Sequence, residues 1–165
     1  MEKNIAAFLD CKLPGRKVVV GDGPLLAELV GRYPDVLFTG RKEGLDLAEC
    51  YASADVFVFP SRTDTFGIVQ LEAMASGLPV AAYPVTGPRD LVKPGVTGYL
   101  GDDLAASAIA ALALDRGPIA EQARQYTWEA TARMFLANIE TALFTAQGRR
   151  IPARRGSSMR TRHAS

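Results

Sequence analysis

Two carboxylates, Asp64 and Glu72, stand eight positions apart in the stretch FVFPSRTDTFGIVQLEAMASGLPVAAY, residues 57–83. Between them Phe66 and Gly67 open a predicted helix. Gly67 has no Cβ, so a ligand can approach its backbone closely. The first helical turn offers unpaired N–H groups and the positive end of the helix dipole, a combination that favours a phosphate. Glu72 lies five residues past Gly67, roughly 7 Å along the axis at about 1.5 Å per residue. That is about the span from a diphosphate to a ribose. One acid can then hold hydroxyls on one side of a diphosphate and the other acid hydroxyls on its far side. A sugar nucleotide has this layout. The plainer alternative is a helix that only packs on a sheet, with Glu72 a solvated charge.

The elements around this pair must hold it in place. Val56–Phe59 is a short apolar run closed by Pro60, and Ser61–Thr65 is polar without periodicity. The helix from 66 ends near Ser76, because Gly77 suits a left-handed cap and Pro79 prevents continuation. Leu78–Tyr83 is a second apolar run, too short for a helix. The pattern is a parallel βαβ unit with an expected right-handed connection. Ahead of it, residues 3–11 read as an amphipathic helix with both apolar and alanine positions. Strands are expected at 18–20 and 36–39, with a helix at 25–33 between them and another, 45–54, after them. Leu45, Ala48 and Tyr51 form the predicted buried stripe of that second helix. The Gly21-Asp22-Gly23 turn lacks the third glycine of a dinucleotide fingerprint, so a plain tight turn is the better reading. Later come one helical turn at 89–92, an edge strand at 97–100, and helices at 101–114, 118–126 and 128–144.

The segment DTFGIVQLE, followed by AMASGLPV, resembles the paired-acid segment of retaining glycosyltransferases with the GT-B fold, the large group 1 or family 4. The resemblance implies that Asp64 contacts donor-sugar hydroxyls and Glu72 holds the ribose, making these two the catalytic acids. Thr65, Phe66, Gly67 and Ile68 would lie along sugar and phosphate. Asp64 departs from the commoner Glu and is shorter by one methylene. By the same resemblance Lys3 matches a diphosphate-binding lysine, and Gly40 and Arg41 match a loop against the nucleotide base. The likeness covers about residues 2–144 and only the C-terminal, donor-binding half of such an enzyme. It implies an α/β, Rossmann-like, doubly wound parallel sheet whose first, central strand is absent, because that strand precedes the first helix in the family. It implies a partner N-terminal, acceptor-binding domain that is also missing. Residues 1–144 are therefore expected to be a nucleotide-sugar-binding domain, with 145–165 a basic, disordered tail.

Composition narrows the alternatives. The chain has 165 residues, is 48% hydrophobic and 22% charged, and carries a net charge of +1, which fits a soluble cytoplasmic domain with a real core. The six arginines beyond Thr145, with no acid among them, leave the preceding residues net negative. A mildly acidic body argues against nucleic-acid binding. The basic tail suits either disorder or attraction to anionic lipid at the inner face of a membrane. Cys11 and Cys50 lack metal spacing and are expected to be buried, reduced thiols. His163 is the only histidine, which excludes a histidine-activated nucleophile within the core. No metal ligand cluster is visible, so no cofactor is required beyond the nucleotide-diphosphate sugar as donor.

Three functions follow. The first is the donor half of a retaining glycosyltransferase, GDP- or UDP-linked, truncated and inactive alone, with an unknown glycan or lipid acceptor. The second is a non-catalytic nucleotide-sugar-binding subunit needing a partner chain. The third is an inactive remnant. A Rossmann dehydrogenase is a distant fourth.

Overall fold

The computed structural model describes residues 3–63, 67–127 and residue 136. Apart from Tyr126, Thr127 and Leu136, these belong to one compact unit of residues 1–125. The expected helix at 128–144, save Leu136, and the tail at 145–165 lie outside the described residues.

Helices and strands alternate along the chain: α1 (Ile5–Asp10), β1 (Val18–Val19), α2 (Leu26–Arg32), β2 (Leu37–Phe38), α3 (Gly44–Ala52), β3 (Phe57–Phe59), α4 (Ile68–Ala75), β4 (Val80–Ala82), α5 (Pro88–Leu91), β5 (Gly98–Leu100), α6 (Leu104–Leu112) and α7 (Gly117–Ala123). Every ladder between these strands is parallel. All five expected strands are present, each trimmed at one or both ends. The architecture is the α/β class expected from alternating strands and helices.

The core is centred on β4. Its three residues are all buried, as a strand covered on both faces requires. Val80 and Ala82 face one side and Ala81 the other, because side chains alternate along a strand. On the first side they meet Phe59, Met74, Leu78, Val92 and Ile119, drawn from β3, α4, α7 and the loops between. On the second side Ala81 meets Ala108 and Ala111 of α6, with Val56, Val58, Tyr99 and Leu13 around them. The alanine-rich sequence of α6 has this use: small residues let the helix sit close against the strand. Burying an apolar side chain the size of Met74 or Leu78 contributes roughly 1.5–3 kcal/mol.

Three expectations need correction. α6 begins at Leu104, not Gly101, because the Gly101 amide donates to the Ala82 carbonyl (3.1 Å) and continues the sheet. Asp103 is the cap, its Oδ1 accepting from the Ala106 amide at 3.0 Å. Leu45 is not buried. It is 82% exposed, and α3 has no fully buried residue. This helix meets the core through its C-terminal end, where Tyr51 and Ala54 pack on the first cluster. Both cysteines are free but only half-buried. Cys11 closes α1 and its Sγ donates to the Ala7 carbonyl.

The strands form two sets, β1–β2 and β3–β4–β5, and no ladder joins them among the described residues. β1 turns Lys17 and Val19 toward β2, whose Leu37 and Thr39 amides donate to their carbonyls at 3.0 Å each. Val18 and Val20 present their backbone groups to the other edge and are 43% and 37% exposed. β3 likewise has one edge on β4. α1 is tied to both sets. Its C-terminal carbonyls, of Leu9 and Cys11, accept from Lys17 Nζ ahead of β1 at 2.5 Å each. At its other end Asn4 Nδ2 donates to the Pro60 carbonyl after β3, at 3.0 Å.

Candidate functional site

The loop after β3 leads into α4 at the C-terminal end of a parallel strand, where ligands of open α/β sheets bind. Gly67 is the N-cap of α4 and not its first helical residue; its backbone is left-handed, φ 69° and ψ 66°. Glycine is required for a second reason. A Cβ there would run into the Gln70 amide and press on the Phe59 ring at 3.1 Å. No described side chain caps α4, in contrast to α6 with Asp103. Within its first turn the Gln70 amide donates to the Gly67 carbonyl at 2.8 Å, and Ile68 beside it is 59% exposed. Such a terminus is suited to an anion.

The far end of α4 is fixed. The Leu78 amide donates to the Ala73 carbonyl (2.9 Å) and the Gly77 amide to that of Met74 (2.9 Å), a Schellman closure. Arg116 adds a clamp, donating to the Gly77 and Ala54 carbonyls at 3.0 Å each.

Glu72 is exposed on the second turn of α4. Tyr51 of α3 donates its hydroxyl to Glu72 Oε2 at 2.9 Å, with the Val69 carbonyl at the outer limit of reach, 3.5 Å. The ring of Tyr51 rests on Phe57, centroids 5.9 Å apart and planes tilted by 59°. Burial pushes the Tyr51 phenol well above its ordinary range, and the Glu72 hydrogen bond and charge push it further. The phenol is thus a proton donor at any physiological pH.

Of the residues singled out from the sequence, Gly67, Ile68 and Glu72 lie together on α4 and its cap. Asp64, Thr65 and Phe66 lie outside the described residues. Lys3 is exposed at the start of α1, and the neighbouring Asn4–Pro60 bond brings that start to the end of β3. Gly40 closes β2 with φ +70°, and its carbonyl accepts from the Gly21 amide at 2.8 Å, joining two turns at the C-terminal ends of β1 and β2. Arg41 pairs with Glu43, Nε to Oε1 2.8 Å, and both side chains are exposed. Among the described residues no hydrogen bond or ion pair links Arg41 to α4.

Four residues were not singled out as site residues. In the sequence Tyr51 belongs only to the packing stripe of its helix. Asn4, Gln70 and Arg62 carried no local signal, because their contacts depend on the fold. Gln70 is fully buried beneath Gly67. The Arg62 guanidinium lies 3.6 Å above the Tyr83 ring at the ends of β3 and β4, a cation–π contact. Ser61, buried in the same loop, accepts from the Thr63 amide at 3.4 Å.

A hollow of about 340 Å³ lies elsewhere, near the N-terminal ends of β1 and β2. Leu9, Leu13, Tyr33, Arg16, Arg32 and Lys17 line it, and Lys17 is already held by two carbonyls. Among the described residues no three His, Cys, Asp or Glu side chains are grouped to hold a metal, and no helix is long and apolar enough to cross a membrane.

The sequence profile of the family described as Glycosyl transferases group 1 matches residues 5–115. The chain belongs to this family. A GDP-mannose-dependent alpha-mannosyltransferase of Mycobacterium tuberculosis is 52% identical over 85 residues, covering 52% of this chain and 22% of that protein. A D-inositol 3-phosphate glycosyltransferase of Mycobacterium avium is 34% identical over 169 residues, covering 86% of this chain and 40% of that protein. The solved structure of sucrose-phosphate synthase from Thermosynechococcus elongatus shares 30% identity at a TM-score of 0.63, covering 88% of this chain and 43% of that one. The glycosyltransferase chain thus spans less than half the length of each. Its α/β architecture is that of the GT-B glycosyltransferases, as the DTFGIVQLE segment implied.

Proposed function

We propose that this chain is the donor-binding part of a retaining glycosyltransferase and binds a nucleoside-diphosphate sugar at the start of α4. The observation that carries this is the N-terminus of α4, which no side chain caps among the described residues, with the Glu72 carboxylate one turn further on. In this reading the first-turn N–H groups take the diphosphate, with Lys3 as an added cation. Glu72 holds the ribose hydroxyls. Asp64 takes the sugar hydroxyls, and Thr65, Phe66, Gly67 and Ile68 line the path between. Gly40 and Arg41 lie against the base. Catalysis is then mostly electrostatic, since donors aimed at the leaving diphosphate stabilise the charge that develops on it. No metal has a role in it.

A guanine nucleotide carrying mannose is the favoured donor, by likeness to the mycobacterial mannosyltransferase. Transfer by these 165 residues is proposed to require an acceptor-binding domain, in cis or in trans, and to be absent without it. The chain is placed in the cytoplasm, where the arginines beyond residue 145 would attract an anionic lipid surface.

The test titrates the full chain with GDP-mannose, UDP-glucose and NADH, then assays sugar release with and without an added acceptor-binding domain. Saturable binding of a nucleotide sugar, competed by its nucleoside diphosphate, supports the reading. Transfer only when the domain is added supports the split of roles. Binding without transfer in either case favours a non-catalytic subunit. Preference for NADH contradicts the reading.

A further inference from the structure

We propose that Tyr51 is a positioning residue for the ribose contact, aiming the Glu72 carboxylate through the hydrogen bond to Oε2. The proposal rests on the reading of Glu72 given above. An exposed glutamate has several rotamers, and holding one of them costs conformational entropy each time a ligand binds. Here the cost is met in the folded protein. Tyr51 comes from a different helix, its ring is anchored on Phe57, and its hydroxyl reaches Glu72 Oε2 at 2.9 Å. Glu72 Oε1 has no hydrogen-bond partner among the described residues. A carboxylate accepts at both oxygens and at two lone pairs on each. One hydrogen bond to Oε2 therefore restrains the position of that oxygen and leaves both oxygens able to accept from a vicinal diol.

The Val69 carbonyl, 3.5 Å from the same hydroxyl, is a second and weaker acceptor on the first-turn side of α4. The Tyr51 phenol is held protonated by burial and by Glu72, so the donor is present throughout the range in which ligand binds. The group fixed in this way is the carboxylate, and the chemistry it recognises is the pair of ribose hydroxyls of a nucleoside diphosphate.

The experiment compares GDP with 2′,3′-dideoxy-GDP on the full chain by calorimetry. The affinity ratio of the two ligands is measured for the wild type, Tyr51→Phe, Glu72→Ala and the double variant. Tyr51→Phe keeps the ring and removes only the hydroxyl. The expected result is a loss of about threefold to tenfold in the preference for GDP, the size of one hydrogen bond, with dideoxy affinity unchanged. Glu72→Ala should abolish the preference, and adding Tyr51→Phe to it should change nothing further. Because each ratio is taken on one protein, a change in overall stability does not mimic the effect. An intact preference in Tyr51→Phe beside its loss in Glu72→Ala would overturn the positioning role while leaving the ribose contact standing. An intact preference in Glu72→Ala would overturn the ribose contact and this proposal with it. Equal weakening of both ligands in Tyr51→Phe would assign Tyr51 to packing alone.

Discussion

The side-chain amide of Asn4 donates to the Pro60 carbonyl at 3.0 Å across 56 positions of sequence. Pro60 follows β3, and its carbonyl points away from β4, because Phe57 and Phe59 are the residues turned toward that strand. The bond therefore ties α1 to the open edge of β3, beside the loop that leads to α4. Asn4 is also the one described non-glycine residue with positive φ, 49°, a conformation that Asn tolerates better than most residues.

Two variants separate these contributions. Asn4→Gly keeps the backbone conformation and loses the bond, at an expected cost of about 0.5–1.5 kcal/mol. Asn4→Ala adds left-handed strain of roughly 1–2 kcal/mol. Urea unfolding should rank wild type above Gly above Ala. Ala as stable as Gly would show that the left-handed strain has no weight.

Gly67→Ala should be the more damaging change at the candidate site. The left-handed cap alone disfavours a Cβ by roughly 1–2 kcal/mol, and the Gln70 amide and Phe59 ring must also move. Thermal unfolding should show a lower midpoint, and nucleotide-sugar binding should be lost beyond what that midpoint explains. Unchanged binding would place the ligand away from the start of α4.

Among the described residues β1 and β3 each have one edge without a ladder, which bears on stability. Val18 and Val20 expose apolar, hydrogen-bonding edge that can pair with other chains. Net domain stability is only about 5–15 kcal/mol, and each buried backbone group left without a partner costs roughly 1–3 kcal/mol. The 165 residues as given should melt below about 60 °C and aggregate with increasing concentration. A sharp, concentration-independent transition above that temperature would contradict this.

Tyr51 also predicts a pH dependence. Its phenol titrates at higher pH in the folded chain than in the unfolded one, first through burial and then through Glu72. Between those two values the folded state binds more protons, so stability falls as pH rises. The contribution is fully present below the ordinary tyrosine value of about 10 and is lost above it. Tyr51→Phe should lose less stability than wild type between neutral pH and the strongly alkaline range. Parallel stability curves for the two proteins would show that Tyr51 is not shifted.

The strands, the βαβ unit and the Gly77 closure of α4 were legible in the sequence because each rests on local chemistry: short apolar runs, a proline stop, a glycine after a helix. Glu72 falls on α4 as the sequence implies, but Gly67, which reads as the opening of the helix, is its left-handed cap. What stayed hidden depends on distance in the chain. No spacing rule brings Tyr51 to Glu72 from a separate helix, and a helical stripe made Leu45 look buried although α3 meets the core only at its other end. The start of α6 lies at the Asp103 cap, a signal present in the sequence, while Gly101 is claimed by the Ala82 carbonyl. The GDG turn gave no hint that the Gly21 amide would bond the Gly40 carbonyl.

The most direct test of the central claim is calorimetry of the full chain with GDP-mannose, comparing wild type with Glu72→Ala. Glu72 is exposed, so its removal should leave the melting temperature close to that of the wild type. A charge-assisted hydrogen bond contributes about 1.5–3 kcal/mol, so the account predicts affinity at least about tenfold weaker in the variant. Equal affinities in two equally folded proteins would contradict the assignment of Glu72 to the donor and, with it, the donor site at α4.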